Sequence, residues 1–253
     1  GNMGTLLEGH IAVVTGAGSG IGRAIAKGYA AEGAKVMVAD INAAGASETA
    51  AMIADDGGTS VDSALDVTDR SSCAALANKV MAELGPASVL VNNAGIVRRA
   101  PISAQGADQD WDDIMNVNAT GVYNVTKAFL DPLRENKGRI VNIGSIQSFV
   151  HTGNAAAYTV AKHGVLGFTR ALAAELGPDG IRVNAIGPGL IRTPLNAENR
   201  ANTDMEVRFV AQTPLRRAGE AEDIAGPAIF LASDMSGFVT GAYVPVDGGY
   251  LTL

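Results

Sequence analysis

Apolar residues follow two rhythms along this chain. Short runs rich in β-branched residues, IAVVT from 11, KVMVAD from 35, SVLVNNAG from 88, RIVNIGS from 139, IRVNAIGPG from 181 and AYVPVDGG from 242, are nearly continuous rather than alternating, as strands covered on both faces require. VDSALDV from 61 is a shorter, weaker run of the same kind. Alanine-rich stretches lie between them. In GIGRAIAKGYAAEGA, Ile21, Ile25 and Tyr29 recur at helical spacing and Gly33 follows as a stop. Strand, helix, strand is the repeating order, and it predicts one doubly wound α/β domain over 1–253: a mostly parallel seven-stranded sheet, helices on both faces, and a ligand crevice at the carboxyl ends of the strands. The segment 190–217, rich in Asn, Arg, Thr and Pro, reads as an irregular lid over that crevice. Residues 1–3 read as a cloning remnant followed by the start Met.

Composition narrows the function. The net charge is −7, and the lysines and arginines form no basic stripe, which speaks against nucleic acid as a partner. A single cysteine, Cys73, cannot form an internal disulfide, and no Cys/His spacing suggests a metal site. No run reaches the roughly 18 apolar residues of a membrane helix. A soluble protein of a reducing cytoplasm is the expectation.

The first strand runs into TGAGSGIG, residues 15–22. Gly16, Gly20 and Gly22, with Ser19 and Ile21 between them, suit a tight turn that lets backbone approach a pyrophosphate, with the N–H groups of the following helix pointing at it. Asp40 ends the second strand, where a carboxylate would accept from both ribose hydroxyls and repel an additional 2′-phosphate. Ser19, Ile41 and Asn42 offer no compensating cation. NAD is therefore expected over NADP.

AAAYTVAKHG, from 155, places Tyr158 and Lys162 one helical turn apart. Together with TGAGSGIG, Asp40, DV at 66, NNAG at 92, Asn118, Ser145, PG at 188, Thr193 and VDGG at 246, these residues resemble the short-chain dehydrogenase/reductase family over nearly the whole chain, most closely its sugar-acid members of the gluconate 5-dehydrogenase and 2-deoxygluconate 3-dehydrogenase kind. The resemblance implies a Rossmann-type fold and a homotetramer, with catalytic Asn118, Ser145, Tyr158 and Lys162. By the same resemblance Asp66 and Val67 flank the adenine, Asn93, Ala94 and Gly95 lie against the ribose, and Pro188, Gly189, Ile191 and Thr193 line the nicotinamide end. Asn118 would hold a water in a proton relay.

A free tyrosine, with a pKa near 10, is only about one-thousandth phenolate at pH 7. A nearby Lys162 ammonium is expected to lower that pKa by two to three units, letting Tyr158 exchange a proton with an alcohol while hydride moves to or from the cofactor. Ser145 would hold the substrate oxygen. It is no nucleophile elbow, since IGSIQ lacks the G-x-S-x-G pattern.

Arg98, Arg99, Gln147, His151 and Asn154, with Asn196, Asn199 and Arg200 in the lid, make a polar surround that suits a hydroxylated substrate. Either Arg98 or Arg99 would bind a carboxylate. The enzymatic alternative is a 3-oxoacyl thioester reductase using NADPH, disfavoured by Asn136 and Ala174 at positions matched to carrier-docking basic residues. The non-enzymatic alternative is an NAD-sensing or scaffold protein.

Overall fold

The computed structural model describes residues 5–194 and 203–252. Seven strands form one parallel sheet: β1 (Ile11–Thr15), β2 (Lys35–Asp40), β3 (Thr59–Ala64), β4 (Val89–Asn92), β5 (Arg139–Ile143), β6 (Arg182–Pro188) and, after the two-residue pair β7 (Ile191–Arg192) and β8 (Gly219–Glu220), β9 (Tyr243–Val246). Their order is β3-β2-β1-β4-β5-β6-β9. The order reverses between β1 and β4, and a crevice opens at such a switch point. Each predicted apolar run became a strand. The weak one starts at Thr59, two residues before the run was recognised, because the polar outer strand β3 is only half-buried.

The continuous apolar strands serve two cores. Val14, Val36, Val38, Val91, Val141 and Ile186 face one side, and Val13, Met37, Leu90, Ile140 and Val183 face the other, as the two-residue period of a strand demands. On the first side pack α1 (Gly20–Ala31), α2 (Ala43–Asp55) and α9 (Glu222–Ala232). On the second pack α3 (Arg70–Glu83), α5 (Gly121–Ala128) and α7 (Ala156–Leu176). Asn42 and Asp69 cap α2 and α3, each accepting a backbone N–H of the first turn. Helix α4 (Ala107–Met115) passes through a π-turn, Asn116–Thr120, into α5, and the short α6 (Leu130–Glu135) leads to β5.

The described part of the segment 190–217 is not wholly irregular. It contains β7 and the helix α8 (Thr203–Gln212), and Arg192 fastens the two by pairing with Glu206 of α8 and Glu220 of β8. Asn196, Asn199 and Arg200 lie outside the described residues. No helix among the described residues is long and apolar enough to cross a membrane.

Candidate active site

At the switch point a cleft of about 290 Å³ is lined by Gly16, Ser19, Gly20 and Ile21 from the glycine turn. Asp40 and Ile41 after β2, Asp66 and Val67 after β3, and Asn93, Ala94 and Gly95 after β4 complete its walls. The turn is built by its glycines. Gly16 and Gly20 have φ of 62° and 54°, in the left-handed region. Gly22 lies against the turn itself, where a Cβ would stand 2.2 Å from the Gly16 carbonyl oxygen. Asn93 Nδ2 donates to the carbonyls of Thr15 and Gly16, locking the turn to β4. Ser19 precedes α1 without a side-chain cap, so the first N–H groups of the helix face the cleft with the positive end of its dipole. These features fit a dinucleotide: the turn and helix for the pyrophosphate, Asp40 for the ribose, Asp66 and Val67 for the base.

Both oxygens of Asp40 accept backbone N–H groups at 2.8 Å, Oδ2 from Gly18 and Oδ1 from Asn42. A cation that the sequence reading missed stands at the same turn: Arg23 donates through Nη2 to the Gly18 carbonyl at 2.6 Å and through Nε to Thr49.

The cleft continues into a second cavity, Ile21, Asn93, Gly95 and Thr193 lining both. Ser145, Gln147, Tyr158 and Lys162 meet there with Pro188, Gly189, Ile191 and Arg99. Val97, Ile146, Leu190, Met205 and Phe209 line it as well, so its walls are less polar than expected. Met205 and Phe209 stand one turn apart on α8, a signal available in the sequence once that segment is read as a helix.

Ser145 follows β5, Tyr158 and Lys162 project from α7, and the Ser145 hydroxyl, which accepts the Gln147 N–H at 3.1 Å, shares the cavity with the Tyr158 phenol. The expected tuning by Lys162 is not what the geometry gives. Lys162 Nζ is 5.5 Å from the centre of the Tyr158 ring and donates to the Ile143 carbonyl at 3.0 Å. Burial holds the Tyr158 phenol above its ordinary pKa, and the opposing influences are the Ser145 hydroxyl and the charge of Arg99. Burial also pushes the Lys162 ammonium down to about 8, because a low dielectric penalises the charged form.

Asn118 lies in the π-turn, fully buried, and lines neither cavity. Its amide is spent on Ile96, accepting the backbone N–H and donating to the carbonyl, both at 2.8 Å. Asn118 also begins an Asn-Ala-Thr sequence of the N-glycosylation kind, but its side chain is fully buried and cannot carry a glycan. Arg98 and Arg99, adjacent in sequence, diverge. Arg98 turns to α4, pairs with Asp110 and Asp113, and with Asn154 lines a separate small cavity. Arg99 enters the second cavity. Its Nη1 donates to Thr152 Oγ1 and the Gly153 carbonyl, and its Nε is buried with no protein partner. His151 is exposed and lines neither cavity. Of the five candidate substrate residues, the cavity shared with Ser145 and Tyr158 holds Arg99 and Gln147.

A family model described as enoyl-(acyl carrier protein) reductase matches residues 16–251. An uncharacterised short-chain type dehydrogenase/reductase of Sinorhizobium fredii is 41% identical, over 97% of this chain and 99% of its own length. The chain belongs to the short-chain dehydrogenase/reductase family. The 3-oxoacyl-[acyl-carrier-protein] reductase of Escherichia coli is 39% identical, covering 96% of this dehydrogenase and 97% of its own chain. The D-threitol dehydrogenase of Mycolicibacterium smegmatis is also 39% identical, over 96% and 94%. Among solved structures, a putative 2-deoxy-D-gluconate 3-dehydrogenase from Agrobacterium tumefaciens with bound NADP superposes with TM-score 0.89 at 41% identity, covering 98% of both chains. A putative NAD(P)-dependent gluconate 5-dehydrogenase from Beutenbergia cavernae, with NADP at low occupancy, gives 0.92 at 41% over the whole of both chains. A gluconate 5-dehydrogenase from Burkholderia cenocepacia in complex with NADP and tartrate gives 0.93 at 35%, over 99% and 98%. A nicotinamide cofactor is thus supported for this dehydrogenase, but the form those relatives hold is NADP, contrary to the expectation of NAD drawn from Asp40.

Proposed function

We propose that this dehydrogenase interconverts a secondary alcohol and a ketone on a sugar acid, sugar or polyol. The observation that carries this reading is the convergence of Ser145, Tyr158, Lys162 and Arg99 on one cavity continuous with the dinucleotide cleft. The nicotinamide supplies the hydride acceptor or donor. Ser145 holds the substrate oxygen, and Tyr158 takes its proton in oxidation or returns it in reduction. Lys162, near half-protonation at about pH 8, sits behind Tyr158, and its charge grows in importance as phenolate develops. Asn118 acts at one remove, by fixing the backbone of Ile96, which lines the dinucleotide cleft.

Arg99 gives the substrate class. Leaving its Nε buried and unpaired costs about 1–3 kcal/mol, a cost that a substrate carboxylate would remove. The tartrate in the Burkholderia relative is an acid of this kind. For the cofactor, the comparisons favour NADP. Asp40 opposes a 2′-phosphate less than a free carboxylate would, since two backbone N–H groups already compensate it; Arg23 at the turn is paired with Glu48 at 2.9 Å. A homotetramer belongs to the same proposal and is tested by light scattering.

A panel of polyols, aldoses and sugar acids, assayed with both cofactors, tests the reading. On the best acid, Arg99→Ala should raise KM about 10- to 100-fold, the worth of a charge-assisted hydrogen bond, and Arg98→Ala should change it less than twofold. Equal effects of the two substitutions would sink the carboxylate assignment. The apolar side of the cavity, Met205 and Phe209 above all, together with the Escherichia coli relative, favours a second reading as a 3-oxoacyl thioester reductase. Activity confined to acyl thioesters with NADPH would establish it instead.

A further inference from the structure

Strand β5 ends at Ile143, and the backbone bond from Gly144 N–H to the Ile186 carbonyl is the last that joins it to β6. The next residue, Ser145, finds its backbone partners elsewhere. Its N–H donates to the hydroxyl of Tyr243 at 2.8 Å, and its carbonyl, which accepts the Ser148 N–H at 2.9 Å, lies 2.8 Å from the same hydroxyl, whose oxygen is 2.5 Å from Ser148 Oγ. Ser148 Oγ in turn donates to the Lys162 carbonyl at 2.7 Å. One phenol from β9 therefore ties together the end of β5, the 3₁₀ turn Ile146–Ser148 and the helix that carries Tyr158. Tyr243 lines neither the cleft nor the catalytic cavity.

Two glycines make room for it. A Cβ at Gly144 would stand 2.0 Å from the Tyr243 oxygen, and one at Gly187 would stand 2.4 Å from its Cε1. Neither glycine has positive φ, so the requirement is space rather than conformation. Phe149 closes over the ring edge-to-face, with centroids 4.7 Å apart. Burial pushes the Tyr243 phenol up to about 12, so it stays protonated across the working range and its single proton is always available to the Ser145 carbonyl or Ser148.

We propose that Tyr243 is a positioning residue for the reaction: by accepting the Ser145 N–H and donating its one proton to the Ser145 carbonyl or to Ser148 Oγ, it fixes the serine beside Tyr158 without touching substrate. This rests on the reading above, in which Ser145 holds the substrate oxygen. A polar group fixed by bonds of this kind holds its partner within the few tenths of an ångström that productive alignment needs.

Tyr243→Phe deletes one oxygen and keeps the ring between the two glycines. It should lower kcat about tenfold, the worth of one to two neutral hydrogen bonds, and move the KM for cofactor less than twofold. In a Ser145→Ala background the same substitution should cause no further fall. Ser148→Ala, which removes the other hydroxyl of the chain, should give a smaller fall with the same dependence on Ser145. An unchanged kcat in Tyr243→Phe, or an equal fold-loss with and without the Ser145 hydroxyl, overturns the inference and leaves the role of Ser145 standing. An undiminished rate in Ser145→Ala overturns the reading of the site, and the inference with it.

Discussion

Strands β1 and β2 build their side of the site mainly from backbone, whereas β5, α7 and β9 build theirs from side chains. Around the glycine turn, ligand-facing groups are N–H donors and a carboxylate already anchored by Gly18 and Asn42. A few residues adjacent in sequence suffice, because a strand, a turn and a helix N-terminus are local. The catalytic cavity has no such economy. Ser145 and Tyr243 are 98 residues apart in the chain, and Arg99 reaches the cavity from the loop after β4. Backbone sites tolerate changes of side chain and fail when a Cβ intrudes. Side-chain sites fail one functional group at a time.

That contrast can be broken from either side. The largest effect belongs to Tyr158→Phe: kcat should fall about 10²- to 10⁴-fold, the usual worth of a positioned acid or base, and dinucleotide binding, read by cofactor fluorescence, should stay within a few-fold. If binding and turnover were lost together, the two halves would not be separable as described. On the cofactor side, Asp40→Ser removes a charge at the ribose and should raise the ratio of kcat/KM for NADP over NAD about tenfold, with kcat on the preferred cofactor nearly unchanged. A constant ratio would mean that the two backbone bonds leave Asp40 no say in the choice.

The smallest effect is a pH dependence of stability in the ligand-free protein. Folding depresses Lys162 from 10.5 to about 8, so between those values the unfolded chain binds the extra proton and stability rises with pH. Below about pH 8 the penalty of the buried ammonium is present in full. Heating scans should therefore show Tm increasing by a few degrees from pH 8 toward pH 10, where ionisation of tyrosine in the unfolded state begins to oppose the trend. Lys162→Met should flatten the slope. If the slope persisted in that variant, Lys162 would not be its source.

What the sequence made legible follows the same division. Buried parallel strands read as unbroken apolar runs, and the glycine turn carries its own spacing, so the sheet and the turn at its switch point could be located residue by residue. Ser145, Tyr158 and Lys162 were legible through resemblance, because the spacing of Tyr158 and Lys162 alone fits any helix. Arg98 and Arg99 could not be separated: neighbours in extended chain point to opposite sides, and only the position of α4, with Asp110 and Asp113, decides which one turns away. The polar composition of 190–217 concealed α8. The influence on Tyr158 was misassigned to Lys162 because nothing in a one-turn spacing says that Nζ will prefer the Ile143 carbonyl. Tyr243 carried no signal at all, since its partners lie nearly a hundred residues upstream.

The position of β9 has a consequence for synthesis. It is the last strand of the sheet in chain order and pairs only with β6, at the edge. The acceptor of the Ser145 N–H is therefore synthesised 98 residues after the serine itself, and the local turn alone, through the Ser148 N–H on the Ser145 carbonyl, holds the serine until Tyr243 arrives.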